Sequence, residues 1–354
     1  MSPAIIMPMR YLFLLLFGLV QLGCSLQLDP LYHSQSYVFG TLVDISIYGE
    51  EEAEAQRIAS QITREFQTIH NRLHAWKPSE LNGINKSFAD NRSKLIEPDM
   101  AHIIADATQR SLQSEGLFNP AIGHLIQHWG FQSDDFPARK PDEAALAAMV
   151  AQHPTMSDIV LDQHTISSQN PHVKLDLGGY AKGYALDAGF KILQELHVKN
   201  ALINIGGNVI ALGNHGDRPW TVGIQHPRKP NAIATVALGS GWAIGTSGDY
   251  QRFFMLDGKR YCHIIDPRSG WPAQGTQSVT VLIPPGADTG VRSDVSSKPI
   301  FISEPERKAE FASKMGVNHV LIIQENGEIL ASPAMQKQLN WLDKEAQARV
   351  RTLQ

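Results

Sequence analysis

Val173–Asp187 reads VKLDLGGYAKGYALD. Val173, Leu175 and Leu177 alternate with polar neighbours, a spacing that predicts a short strand. Gly178 and Gly179 follow, and then a helical pattern with Lys182 in its first turn. Glycines let a backbone come close to a ligand, and a helix start offers unpaired N–H groups to an anion. Lys182 adds a mobile positive charge, so the stretch reads either as a phosphate site or as an ordinary strand–turn–helix junction. Its spacing fits neither the dinucleotide fingerprint G-x-G-x-x-G nor the P-loop G-x-x-x-x-G-K-[ST].

Outward from this stretch, strands and helices mix. Tyr37–Tyr48 alternates and predicts a strand interrupted at Gly40-Thr41. Ile58, Ile62, Phe66, Ile69 and Leu73 place a helix over Glu50–Leu73, and Met100, Ile103, Ile104 and Ala107 a second one begun at Pro98 and Asp99. Gly116–Phe131 reads as a shaped loop with a short helix, and Asp142 as the cap of a helix through Val150. Further strands follow at Ala201–Ile210 (broken by Gly206-Gly207), Trp220–Ile224, Ala232–Leu238 and Val279–Ile283. Asp257-Gly258 and Asn326-Gly327 mark hairpin turns. The fold class expected is α+β with mixed sheets and packed helices, not a doubly wound sheet. Glycine-rich breaks at several strand ends suggest one cleft for an extended, phosphate-bearing ligand.

The chain has 354 residues, 43% hydrophobic and 19% charged, with a net charge of −4. That balance is ordinary for a globular protein and argues against a nucleic-acid binder, which needs a basic face. Arg10 precedes an apolar run, Tyr11–Gly23, of the length of an export signal rather than a membrane span. Leu22-Gly23-Cys24-Ser25 resembles a bacterial lipobox, with Gln21 where leucine is usual. The expected organisation is a signal peptide over 1–23, lipidation at Cys24, a lipid-anchored tether over 24–36 and one domain over 37–354. Acylation of Cys24 would leave Cys262 without a disulfide partner.

LDLGGYAKGYALD, INIGGNVIALG, GTSGDYQRFF and HIIDPRSGWP resemble, in order and in register, the signature segments of the ApbE family, the FAD:protein FMN transferases. The resemblance runs from about Tyr37 to about Ser332. It implies an ApbE-like (T-fold-like) domain around an FAD cleft. It also implies a magnesium-dependent reaction that moves the FMN half of FAD to a Thr or Ser hydroxyl of a target protein and releases AMP. By motif position the Ala181 carbonyl and the Asp294 carboxylate correspond to Mg²⁺ ligands, and Lys182 to a phosphate contact. His263 is the expected base or orienter of the acceptor, with Asp266 fixing the turn or positioning it. Trp76 and Phe39 offer apolar faces to the flavin ring. Gly40, Thr41, Asn119, Gly178, Gly179, Gly206, Gly207, Thr246, Ser247 and Gly248 complete the expected FAD contacts.

Two departures stand out. Asn119 replaces an aspartate, and Lys298 sits where the family has a threonine metal ligand, four residues after Asp294. Either Lys298 points away and Ser297 or Ser296 serves instead, or its ammonium stands in for the metal. An FAD-binding or trafficking lipoprotein without catalysis, and an FAD pyrophosphatase giving FMN and AMP, are therefore the alternatives. The partners implied are periplasmic acceptors such as respiratory-complex subunits carrying covalent FMN. The location implied is an inner-membrane lipoprotein facing the periplasm, with Ser25 leaving outer-membrane sorting open.

Overall fold

The computed structural model describes residues 30–133 and 138–353. The expected signal peptide, Cys24 and the first part of the tether lie outside them. Among the described residues no helix is long and apolar enough to cross a membrane.

One nine-stranded sheet organises the domain. Its strands are β1 (Leu31–Val38), β2 (Thr41–Tyr48), β3 (Asn200–Ile205), β4 (Asn208–Leu212), β5 (Ala243–Gly248), β6 (Thr276–Ile283), β7 (His319–Gln324), β8 (Ile329–Ala331) and β9 (Val350–Thr352). They lie side by side in this same order. Every neighbouring pair is antiparallel except the last, β8 with β9. The long inserts between strands fold as helices and smaller sheets around this meander, which gives the α+β class expected.

Both faces of the sheet are covered, and the central strand shows it: all eight residues of β6 are buried. On one face Val279, Val281 and Ile283 join the main core with α1 (Glu52–Arg72) and α2 (Ala181–Glu195), through Ile58, Ile62, Phe66, Ala185 and Leu186. On the other face Leu282, Leu321 and Ile323 pack with Trp220, Ile224, Val236 and Trp341 of a three-stranded sheet. A strand buried on both sides reads as a nearly continuous apolar run, as Val279–Ile283 does apart from Thr280.

Four local differences from the sequence reading have physical causes. Residues 31–36, expected in the tether, are strand: β1 pairs along its whole length with β2, Leu31 opposite Tyr48 and Val38 opposite Thr41. The break near Gly40 is therefore a two-residue hairpin turn at Phe39-Gly40, with φ of 57° and 71°. Gly206-Gly207 likewise turns β3 into β4, with φ of 57° and 93°. Positive φ at both central residues is what lets a two-residue turn follow the twist of its strands. Third, Val173–Leu177 is extended but joins no sheet, beyond one isolated bridge from Lys174 to Ile122. Its hydrogen bonds go elsewhere: Lys174 N–H to the Ala121 carbonyl, Asp176 N–H to the Pro120 carbonyl, and both backbone groups of Leu175 to the Asn85 amide. Fourth, Glu80–Ala89, which gave no helical reading, is a helix capped by the Ser79 hydroxyl.

Candidate active site

A cleft of about 910 Å³ opens at the ends of β2, β3 and β5, where the turns and the start of α2 converge. That is the upper end of the range for small-molecule pockets. Phe39, Gly40, Thr41, Trp76, Asn119, Gly178, Gly179, Ala181, Lys182, Gly206, Gly207, Thr246, Ser247, Gly248, His263, Asp294 and Lys298 all line it. Four segments far apart in sequence thus meet in one place.

The floor is built by two short backbone approaches. α3 (Thr289–Val295) crosses the first turn of α2 with Gly290 against Gly183. A Cβ at Gly183 would stand 2.5 Å from the Gly290 carbonyl oxygen, and one at Gly290 2.4 Å from the Gly183 carbonyl oxygen. Only glycines allow that approach, and it brings the buried Asp294 carboxylate onto α2, where Oδ2 accepts the Gly183 N–H at 3.0 Å. The Ala181 N–H meanwhile donates to the Leu177 carbonyl at 2.8 Å. The start of α2 is therefore not the open set of N–H donors that its sequence suggested. Lys182 does reach the cleft, and among the described residues no carboxylate pairs with its ammonium.

Lys298 does not point away. It lies on α4 (Ser297–Ile302), and its Nζ donates to Asp294 Oδ1 at 2.7 Å and to the Asp294 main-chain carbonyl at 2.5 Å. Its stem crosses Gly179, where a Cβ would stand 2.7 Å from Cε and 3.1 Å from Cδ. Burial by itself would raise the Asp294 carboxyl, but Lys298 and Lys182 reverse that and hold it below the usual carboxylate range. The Ser297 hydroxyl is buried, 2.8 Å from that of Ser247 and 3.2 Å from the Asp294 carbonyl oxygen, so its hydrogen bonds are made within the protein. Ser296 is likewise buried.

These residues do not fit a magnesium ion. One carboxylate oxygen of Asp294 holds Lys298, and the other holds the Gly183 N–H. A lysine and a dication about 4 Å apart repel by about 8 kcal/mol at an effective dielectric near 20.

His263 lines the cleft beside Phe131, in an edge-on contact. Its Nδ1 is 3.2 Å from the Arg252 carbonyl oxygen. A carbonyl only accepts, so in the neutral ring Nδ1 carries the proton and Nε2 the lone pair. Burial, then Lys182 and Arg252, push the imidazole down to about 3, so the ring is neutral across the physiological range. Asp266, expected beside it, lies outside the cleft. It accepts from the Arg268 N–H and guanidinium at 2.9 and 2.8 Å, and so fixes the turn at Pro267. Cys262 is buried, and burial pushes its thiol up to about 12, so it is no nucleophile.

One wall is aromatic. Phe39 stands edge-on to His70 at 5.5 Å, His70 to His74 at 5.0 Å, and His74 to Trp76 at 4.5 Å. His70 and His74 escaped the sequence reading, although their i, i+4 spacing at the end of α1 was the available signal. Arg252 was passed over too, inside the quoted segment GTSGDYQRFF. It holds His263 through its carbonyl, while its guanidinium donates to the carbonyls of Phe131 and Ser133 at 3.0 and 2.8 Å. Asn119 spends its amide on the Pro154 carbonyl and the Ala121 N–H, so it shapes the loop as well as lining the cleft.

The ApbE family model matches residues 39–321. The chain is 38% identical over 303 residues to an FAD:protein FMN transferase of Rhodobacter capsulatus, covering 86% of this chain and 57% of that protein. It therefore spans a little over half the length of that relative. A second protein of the same name, from Klebsiella pneumoniae, is 32% identical over 317 residues, covering 86% of this chain and 93% of its own. Among solved structures, the ApbE protein of Thermotoga maritima superposes with a TM-score of 0.78 at 28% identity, over 87% of this chain and 99% of that one.

Proposed function

The chain belongs to the ApbE family, and from that membership we propose that it is a flavin transferase that moves the FMN moiety of FAD to a Thr or Ser hydroxyl of a target protein. The observation that carries the reading is the placement of a neutral His263, with its Nε2 lone pair available, in a cleft that also holds Lys182, Lys298 and an aromatic wall. In the proposed step the acceptor oxygen attacks the phosphorus of the FMN half. A new P–O bond forms, the P–O bond to the AMP bridging oxygen breaks, and His263 takes the hydroxyl proton. Lys182 lies against the negative charge that develops on the phosphate oxygens. Phe39, His74 and Trp76 offer ring faces and edges to the isoalloxazine.

The family's magnesium chemistry polarises a phosphoryl oxygen, but no step here is routed through a metal, because the residues around Asp294 do not fit one. That misfit favours a second reading, FAD binding without turnover. Purified full-length protein incubated with FAD and a flavin-acceptor domain separates the readings. In-gel flavin fluorescence together with AMP release is expected. AMP without labelled protein means hydrolysis, and FAD binding without AMP means a binding protein. We also propose, from the sequence, that Cys24 is lipidated and that the domain faces the periplasm, where the acceptors are subunits carrying covalent FMN. Labelling with a fatty-acid analogue, lost in Cys24→Ala, tests the anchor.

A further inference from the structure

The cleft carries a cation of its own where a metal was expected, and the residues around it are built to keep it there. An ammonium has three donors. Two of those on Lys298 go to Asp294, to the carboxylate and to the main-chain carbonyl. Lys298 also lines the cleft, and among the described residues its third donor has no acceptor. The arrangement is held from every side. Gly179 leaves room for the lysine stem, Asp294 is itself fixed by the Gly183 N–H, and Gly183 can donate there only because α2 and α3 touch through glycines. A lysine that merely neutralised a buried carboxylate would need no opening onto the cleft. Lys182 lines the same cavity, so the ammonium groups of Lys182 and Lys298 face one space, of which only that of Lys298 pairs with Asp294 among the described residues.

We propose that Lys298 is a built-in cation: its ammonium meets the phosphate oxygens of the bound dinucleotide directly, so this protein binds its dinucleotide without a divalent metal. The inference rests on the flavin reading of the cleft. It changes the chemistry of recognition from a shared, exchangeable ion to a tethered charge with one remaining hydrogen bond to give. A point charge on a flexible stem suits a phosphate oxygen, which demands no planar fork.

The test uses the full-length protein and four measurements. Quenching of FAD fluorescence, titrated in excess chelator and again with added Mg²⁺, is expected to give the same affinity. Electron paramagnetic resonance with Mn²⁺ is expected to show no protein-bound ion, with or without FAD. In Lys298→Met, FAD affinity falls about 10- to 100-fold, the value of one charge-assisted hydrogen bond. In Lys298→Thr, an FAD-dependent bound Mn²⁺ signal appears as Asp294 is released. A wild-type protein that loses FAD in chelator and regains it with Mg²⁺, or that binds Mn²⁺ together with FAD, overturns the proposal, and neither result needs a variant to fold. Absence of FAD quenching under both conditions overturns the flavin reading itself, and the built-in cation with it.

Discussion

His263 has one ring nitrogen committed to a carbonyl and the other open to chemistry, and its surroundings decide when that nitrogen can take a proton. In the free protein, burial and the two cations beside it push the imidazole down to about 3. An unfolded chain would protonate the same ring near 6.5. Between these values the unfolded state binds the extra proton, so this residue's contribution to stability falls as the pH drops from about 6.5 towards 3. A bound diphosphate offsets the field of Lys182, and the ring should then become more basic. NMR of the labelled imidazole is expected to show it neutral down to about pH 4 in the free protein and to titrate at higher pH with ADP bound. A ring that titrates near its ordinary value in the free protein would contradict this. His263→Ala should cut transfer by about 10²- to 10⁴-fold and leave FAD binding in place. Position 263 was legible from its motif, but its tautomer was not, because the deciding partner is a main-chain carbonyl at Arg252. Lys298 was legible in the same limited sense. A lysine four residues after an aspartate can fold back on it or extend into solvent, and only the space left by Gly179 settles which.

At the scale of elements, the contact that matters most is between α2 and α3. Replacing Gly183 by alanine would ordinarily favour a helix by up to about 1 kcal/mol. Here the new methyl would meet a carbonyl oxygen at 2.5 Å and the Val291 Cα at 2.7 Å, neither of which can move alone. Gly183→Ala is therefore expected to cost about 1–3 kcal/mol in chemical denaturation, as overpacking does, and to weaken FAD binding by drawing Asp294 off α2. Gly189→Ala on the same helix is the control. Its methyl would meet the ends of the Ile203 and Phe66 side chains at 2.8 and 2.9 Å, which can shift, so it should cost less and leave binding alone. Periodicity located α1, α2 and the helix at Pro98–Gln113 because each has an apolar stripe facing the core. It misread Val173–Leu177 because alternation reports burial on one side, not the identity of the hydrogen-bond partner. Those partners, Asn85 and the loop at 120–121, are remote in sequence.

Across the whole molecule, the sheet begins before the domain boundary read from sequence. The run from Leu31 to Ser36 mixes polar and aromatic residues, and its outward side chains disguise a strand whose backbone is fully paired with β2. Deleting residues 1–36 should lower the thermal midpoint or cause association, because β2 would then present an unpaired edge. A mere tether would leave the midpoint unchanged. The sheet's order was beyond the sequence, because neighbouring strands such as β2 and β3 are separated by more chain than any local pattern spans.

The hairpin of β1 and β2 closes on Phe39, which stands in the aromatic wall with φ of 57°. Edge strands are the parts of a sheet that open most readily. An occupant resting on Phe39 binds only while that turn is formed, so filling the cleft must suppress fraying of β1 by linkage. The edge of the sheet thereby becomes a gauge of occupancy. Amide exchange along Leu31–Val38 should slow as ligand is added, whereas strands in the sheet interior such as β6, already locked, should change little.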